Sequence, residues 1–195
     1  MFRFDDHCRE ERYFSATILP YLMAYENFTG LKAFLSYIND KYLSLTDAKI
    51  DLSNFDENIK NMQMITEPAL ERDLPYYKIP IPTESFGRKK DKQSKPDILI
   101  IFNGWVILIE AKYFTSYNPY GLYMQMDQQS YVLDIVKTMS EEKIINGIQL
   151  AICPIHDYLK EFSVITWEEI YNIMRTIIPK DNYFMKRLKN SITRY

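Results

Sequence analysis

The sequence predicts an α/β protein, a mixed β-sheet of four or five strands flanked by helices, and three observations predict it. Two apolar runs of strand length, Ile-Leu-Ile-Ile-Phe over 98–102 and Trp-Val-Ile-Leu-Ile over 105–109, flank Asn103-Gly104. An Asn-Gly pair so placed is the strongest short-range signal for a two-residue hairpin, because both turn positions need φ > 0. Segments with apolar residues at helical spacing stand before this hairpin and after it. A further apolar run, 148–153, follows the later helical segment, and strand, helix and strand in that order suggest a crossover that lays it beside the second hairpin strand.

Composition bounds the reading. A chain of 195 residues, 47% of them hydrophobic, is long enough to bury a core as one domain and is not disordered. Tyr at 16 and Phe at 11 against only 5 Gly predict an aromatic-rich core. A formal charge of −2 offers no global attraction to nucleic acid, so any such surface is local. Cys8 and Cys153 match neither a zinc spacing nor a disulfide framework, which suits a reducing cytoplasm. The N-terminus lacks an apolar signal core, and no run approaches the ~20 apolar residues of a spanning helix. The expectation is a cytoplasmic protein with no membrane partner. A helical part over 6–45, a core over about 62–178 and a basic tail over 179–195 make up the expected domain.

Along the chain, Phe14, Ile18 and Leu22 recur at i, i+4 and i+8, predicting a helix over about 6–25 capped by Asp5 or Asp6. Pro20 interrupts it and predicts a kink or two short helices. Residues 27–30 read as a break and 31–45 as a second helix. After a polar loop, a helical turn over 57–62 leads to a strand over 63–66 that ends at Glu67-Pro68. Residues 73–94 hold Pro75, Pro80 and Pro82 and then a charge run, the pattern of a loop. Asn118-Pro119 reads as a turn or helix entry, and a helix follows over about 120–139, with Leu122, Met126, Tyr131 or Gln129, Leu133 and Val136 near its inner face. One more strand is expected near 162–165. Thr166-Trp167-Glu168-Glu169 then has the form of a capping box that opens a helix to about 177. His7 and His156 are lone histidines without a catalytic assignment.

The chemistry gathers at the hairpin. With Asn103-Gly104 as the turn, Phe102 faces Trp105, and the same register carries Asp97 opposite Glu110. Opposed residues have Cβ atoms about 4.5–5.5 Å apart, and like charges so placed repel, so a cation belongs between them. Strand alternation returns Lys112 to the face of Glu110. Two hard carboxylates can hold Mg²⁺ with coordination positions left for water and a phosphate oxygen. A neighbouring ammonium can neutralise charge in a phosphoryl-transfer transition state or position the attacking water. Charged strand ends joined by a salt bridge are the plainer explanation of the same three residues.

Pro96-Asp97 followed by Glu110-Ala111-Lys112 resembles the signature of the PD-(D/E)xK nuclease superfamily. The resemblance implies a restriction-endonuclease-like αβββαβ core over roughly 6–178. It also implies Mg²⁺-dependent hydrolysis of phosphodiesters, with Mn²⁺ able to substitute and DNA the favoured substrate. Asp97, Glu110 and the Ala111 carbonyl would hold the metal, and Lys112 would orient or activate water. The superfamily often adds an acid from its first helix; Glu11 takes that place, with Glu10 as the fallback and Glu67 also within consideration. An exposed glutamate favoured by the helix dipole explains Glu11 equally well. Lys89, Lys90 and Lys95, with Arg88 and Lys92, would fringe the site and attract phosphates, although a solvated loop accounts for such a run too. Gln128 with Tyr131 is the nearest match to the Gln-x-x-x-Tyr of exonuclease-like members, with the spacing one residue short. Specificity would come from a dimer or a partner protein. The alternative is a catalytically silent nuclease fold acting as a nucleic-acid-binding or assembly module.

Overall fold

The structure, a computed structural model, describes residues 13–44, 48–68, 95–113, 118–139, 146–154 and 162–192. Its centre is a five-stranded mixed sheet in which the strands lie side by side in chain order. β1 (Gln63–Thr66), β2 (Ile98–Phe102) and β3 (Trp105–Ala111) form an antiparallel meander. β4 (Asn146–Cys153) and β5 (Ser163–Thr166) then run parallel to β3. The expected crossover helix, α3 (Pro119–Met139), lies between β3 and β4 in the chain. Asn118 Oδ1 accepts from the Tyr120 N–H at 3.1 Å, and Pro119 supplies a first position that needs no N–H partner.

The hairpin register is the one the Asn-Gly turn dictates. Phe102 pairs with Trp105 and Ile98 with Ile109, and Asn103 and Gly104 take φ of 44° and 77°. Both sheet faces are covered, so β2 and the first five residues of β3 are apolar on both faces, and alternation decides which layer each side chain joins. Ile98, Ile100, Phe102, Ile107, Ile109, Leu150, Ile152 and Ile165 pack with α1 (Leu19–Lys41), α4 (Trp167–Met174) and α5 (Tyr183–Ile192). Leu99, Val106 and Leu108 pack with Val132 and Val136 of α3, while Ala151, Cys153 and Val164 meet Leu122 and Met126.

The first helical region departs from its expected form. Phe14–Ile18 is a π-helical stretch, and the α-helix starts at Leu19, leaving Pro20 in its first turn where a missing N–H costs little. The expected break falls at Tyr25–Phe28, where Glu26, Asn27 and Phe28 all have positive φ. Gly30 lies beyond the break, and its function is contact. A Cβ there would stand 1.9 Å from the Leu22 carbonyl oxygen, so its absence lets the two halves of α1 meet backbone to backbone. A four-residue helix, α2 (Phe55–Asn58), and a 3₁₀ turn precede β1. No described helix is long and apolar enough to cross a membrane.

β5 is the last strand in the sheet order, and its backbone is tied down from the C-terminal end of α1. Lys41 Nζ donates to the Val164 carbonyl at 3.2 Å, and the Tyr42 hydroxyl donates to the same oxygen. Blocking an edge carbonyl in this way removes a template for unwanted strand pairing.

Candidate functional site

The site lies where β2 begins and β3 ends. Asp97 stands one residue before β2, and the hairpin register carries it across to Glu110. Both belong to the α3 face, because Leu99 and Leu108, two residues along each strand, pack there. Asp97 Oδ2 accepts the Ala111 N–H at 2.8 Å. A residue's N–H and C=O leave an extended strand on the same side, so the Ala111 carbonyl also opens toward Asp97.

Glu110 is 4% exposed and has both oxygens engaged. Lys112 Nζ reaches Oε1 at 2.7 Å, and Gln129 Nε2 donates to Oε2 at 2.7 Å. A carboxylate so deeply buried needs such partners, since desolvating an uncompensated charge costs several kcal/mol. Each carboxylate oxygen keeps a second lone pair, so these bonds leave coordination capacity. Asp97, Glu110 and the Ala111 carbonyl form a set of hard oxygen donors, which fits Mg²⁺ and does not fit a soft metal. Among the described residues no group of three or more His, Cys, Asp or Glu side chains converges, so the described acids here are two.

Lys95 is exposed at the entry to β2. Glu67 is also exposed, with φ of 49°, and donates its N–H to the Asp97 carbonyl at 2.8 Å; the end of β1 thus borders the site through its backbone. Glu10, Glu11, Lys89 and Lys90 lie outside the described residues, as do Arg88, Lys92, His7, His156 and Cys8. Gln128 is half-buried, and the glutamine that holds Glu110 is its neighbour Gln129, 1% exposed. The signal for Gln129 was present: Leu122, Met126 and Gln129 follow i, i+4, i+7, which puts the amide on the inner stripe facing the sheet.

A second polar group fixes the far side. Thr166 caps α4 through a capping box in which Glu169 Oε2 accepts the Thr166 N–H at 2.7 Å and Thr166 Oγ1 accepts the Glu169 N–H at 3.1 Å. Glu169 Oε1 accepts from Lys41 Nζ at 2.6 Å and from the Tyr37 hydroxyl. Burial pushes the Glu169 carboxyl up, but the bonds from Lys41, Tyr37 and the Thr166 backbone outweigh it and hold it down at about 2. The same burial and bond push the Tyr37 hydroxyl up. α4 therefore starts at a fixed point, and its first residue, Trp167, donates its indole N–H to the Lys112 carbonyl at 2.9 Å. This bond has no local signature in the sequence, because its partners are 55 positions apart.

Comparison with protein-family models, with curated proteins and with solved structures returned no match for this chain.

Proposed function

We propose that the chain is a metal-dependent phosphodiesterase, a nuclease resembling the PD-(D/E)xK superfamily and acting on nucleic acid, with DNA favoured. The observation that carries this reading is a buried glutamate, Glu110, of which Lys112 and Gln129 each hold one oxygen, next in the chain to Ala111, whose N–H is bonded to the Asp97 carboxylate. The meander, crossover and parallel strand, with helices on both faces, are compatible with an αβββαβ core. Asp97, Glu110 and the Ala111 carbonyl would hold Mg²⁺ or Mn²⁺. When bound, the ion supplies Lewis-acid stabilisation of charge on the phosphoryl oxygens.

The chain's own groups supply the rest. Glu110 and Asp97 create a negative locus that selects a cation. Lys112, held against Glu110, presents an ammonium to the developing phosphoryl charge and orients water for attack. Gln129 keeps Glu110 from rotating, so donor positions are set before substrate arrives. Lys95 meets a backbone phosphate at the mouth.

Titration calorimetry with Mn²⁺ tests the metal site. The native chain is expected to show a site that disappears in Asp97→Ala while circular dichroism stays unchanged. A bond set that satisfies Glu110 without any ion also suits a fold kept for assembly, and absence of a Mn²⁺ site in the folded native chain would select that second reading.

A further inference from the structure

Both main-chain polar groups of Lys112 are engaged by distant parts of the chain. Its N–H donates to the Ile152 carbonyl on β4 at 2.7 Å, and its carbonyl accepts the Trp167 indole N–H at 2.9 Å. Ala111 is the last residue of β3, so Lys112 lies beyond the ladder, where a backbone is ordinarily free to fray. The indole is itself immobile. Trp167 is 4% exposed and meets Phe14 edge-on at 5.6 Å, and Phe14 stacks on Tyr113 at 4.3 Å. The capping box at Thr166 fixes the backbone immediately before it. Phe fills an apolar site of this kind without a buried polar atom to satisfy, whereas Trp brings an N–H that needs an acceptor. That acceptor is the residue whose ammonium touches Glu110.

We propose that Trp167 is a positioning residue: its indole N–H fixes the backbone of Lys112 and thereby sets Lys112 Nζ against Glu110. The hydrogen bond stands whatever the chain does; its catalytic meaning rests on the nuclease reading above. Removal of the N–H alone releases the Lys112 carbonyl and widens the range of its side chain, while the ring still fills the core.

The test uses the full chain in two forms, Trp167→Phe and a form with benzothienylalanine at position 167, which keeps the bicyclic shape and replaces N–H by sulfur. The readout independent of metal and activity is the rate of reductive methylation of Lys112 at fixed pH, followed by mass spectrometry. Both forms are expected to label about three- to tenfold faster than the native chain, the range of one lost hydrogen bond. Lys60, paired with Glu57 far from the indole, serves as the unaffected reference. In metal-dependent cleavage, both forms lower kcat with KM unchanged, and neither has any further effect in a Lys112→Ala background. Unchanged Lys112 labelling in a folded benzothienylalanine protein overturns the proposal. If the native chain cleaves nothing but labelling rises as expected, the nuclease reading fails and the positioning contact survives.

Discussion

At the residue scale, the centre of the molecule is a buried carboxylate held by two donors. Replacing Gln129 by Leu keeps the volume and leaves Glu110 Oε2 without its amide, which should lower stability by about 1–3 kcal/mol in chemical denaturation. Gln129→Glu places a second carboxylate against Glu110. Like-charge repulsion at that buried site should make the variant less stable than the native chain at pH 7 in chemical denaturation, whereas the native chain loses stability in acid. The native trend has a named source in Glu169. Its carboxyl is held at about 2, below its ordinary 4.5, so its contribution is complete above about pH 4.5 and fades as pH falls toward 2. Glu169→Gln should remove about 1–2 kcal/mol at pH 7, after allowance for solvent screening, and flatten the acid limb of denaturation curves measured between pH 2 and 7. Lys112→Ala leaves the buried Glu110 carboxyl with one partner fewer. The variant should therefore melt lower than the native chain without metal, and Mn²⁺ should restore more of its Tm than it adds to the native protein.

At the element scale, Gly30 is the residue that lets α1 fold back on itself. Gly30→Ala drives a methyl into the Leu22 carbonyl and should cost about 1–3 kcal/mol by overpacking, read as a lower denaturation midpoint with an unchanged slope. In the sequence Gly30 reads as part of a break over 27–30; its place beyond the break is set by tertiary contact, which has no local signature. Elements whose chemistry is local were legible. The Asn-Gly turn fixed the β2–β3 register, β1 has the expected bounds, and Thr166 with Glu169 forms the expected capping box. The phase of α3 was legible only in part. Leu122, Met126 and Val136 face inward as expected, and of the two alternatives Tyr131 and Gln129 it is Gln129 that is buried; Val132 and Ile135 join the buried stripe, and Leu133 and Tyr131 are half-buried beside it.

At the scale of the whole molecule, the sheet brings one end of the hairpin against two layers that do different things. The α3 layer supplies Gln129 to Glu110, and the opposite layer supplies Trp167 to the Lys112 backbone. Residues far apart in the chain therefore hold a short motif in a single geometry, and the motif alone could not reveal either one. The activity proposed for this site is hydrolysis of phosphodiesters. The most direct measurement is cleavage of supercoiled circular DNA and of linear single- and double-stranded DNA with Mg²⁺ or Mn²⁺, comparing the native chain with folded Asp97→Ala and Lys112→Ala. Metal-dependent cleavage by the native chain is expected, falling by about 10²–10⁴-fold in Lys112→Ala and to background in Asp97→Ala. Native cleavage that persists in both folded variants, or none with either metal on any of these substrates, would contradict it.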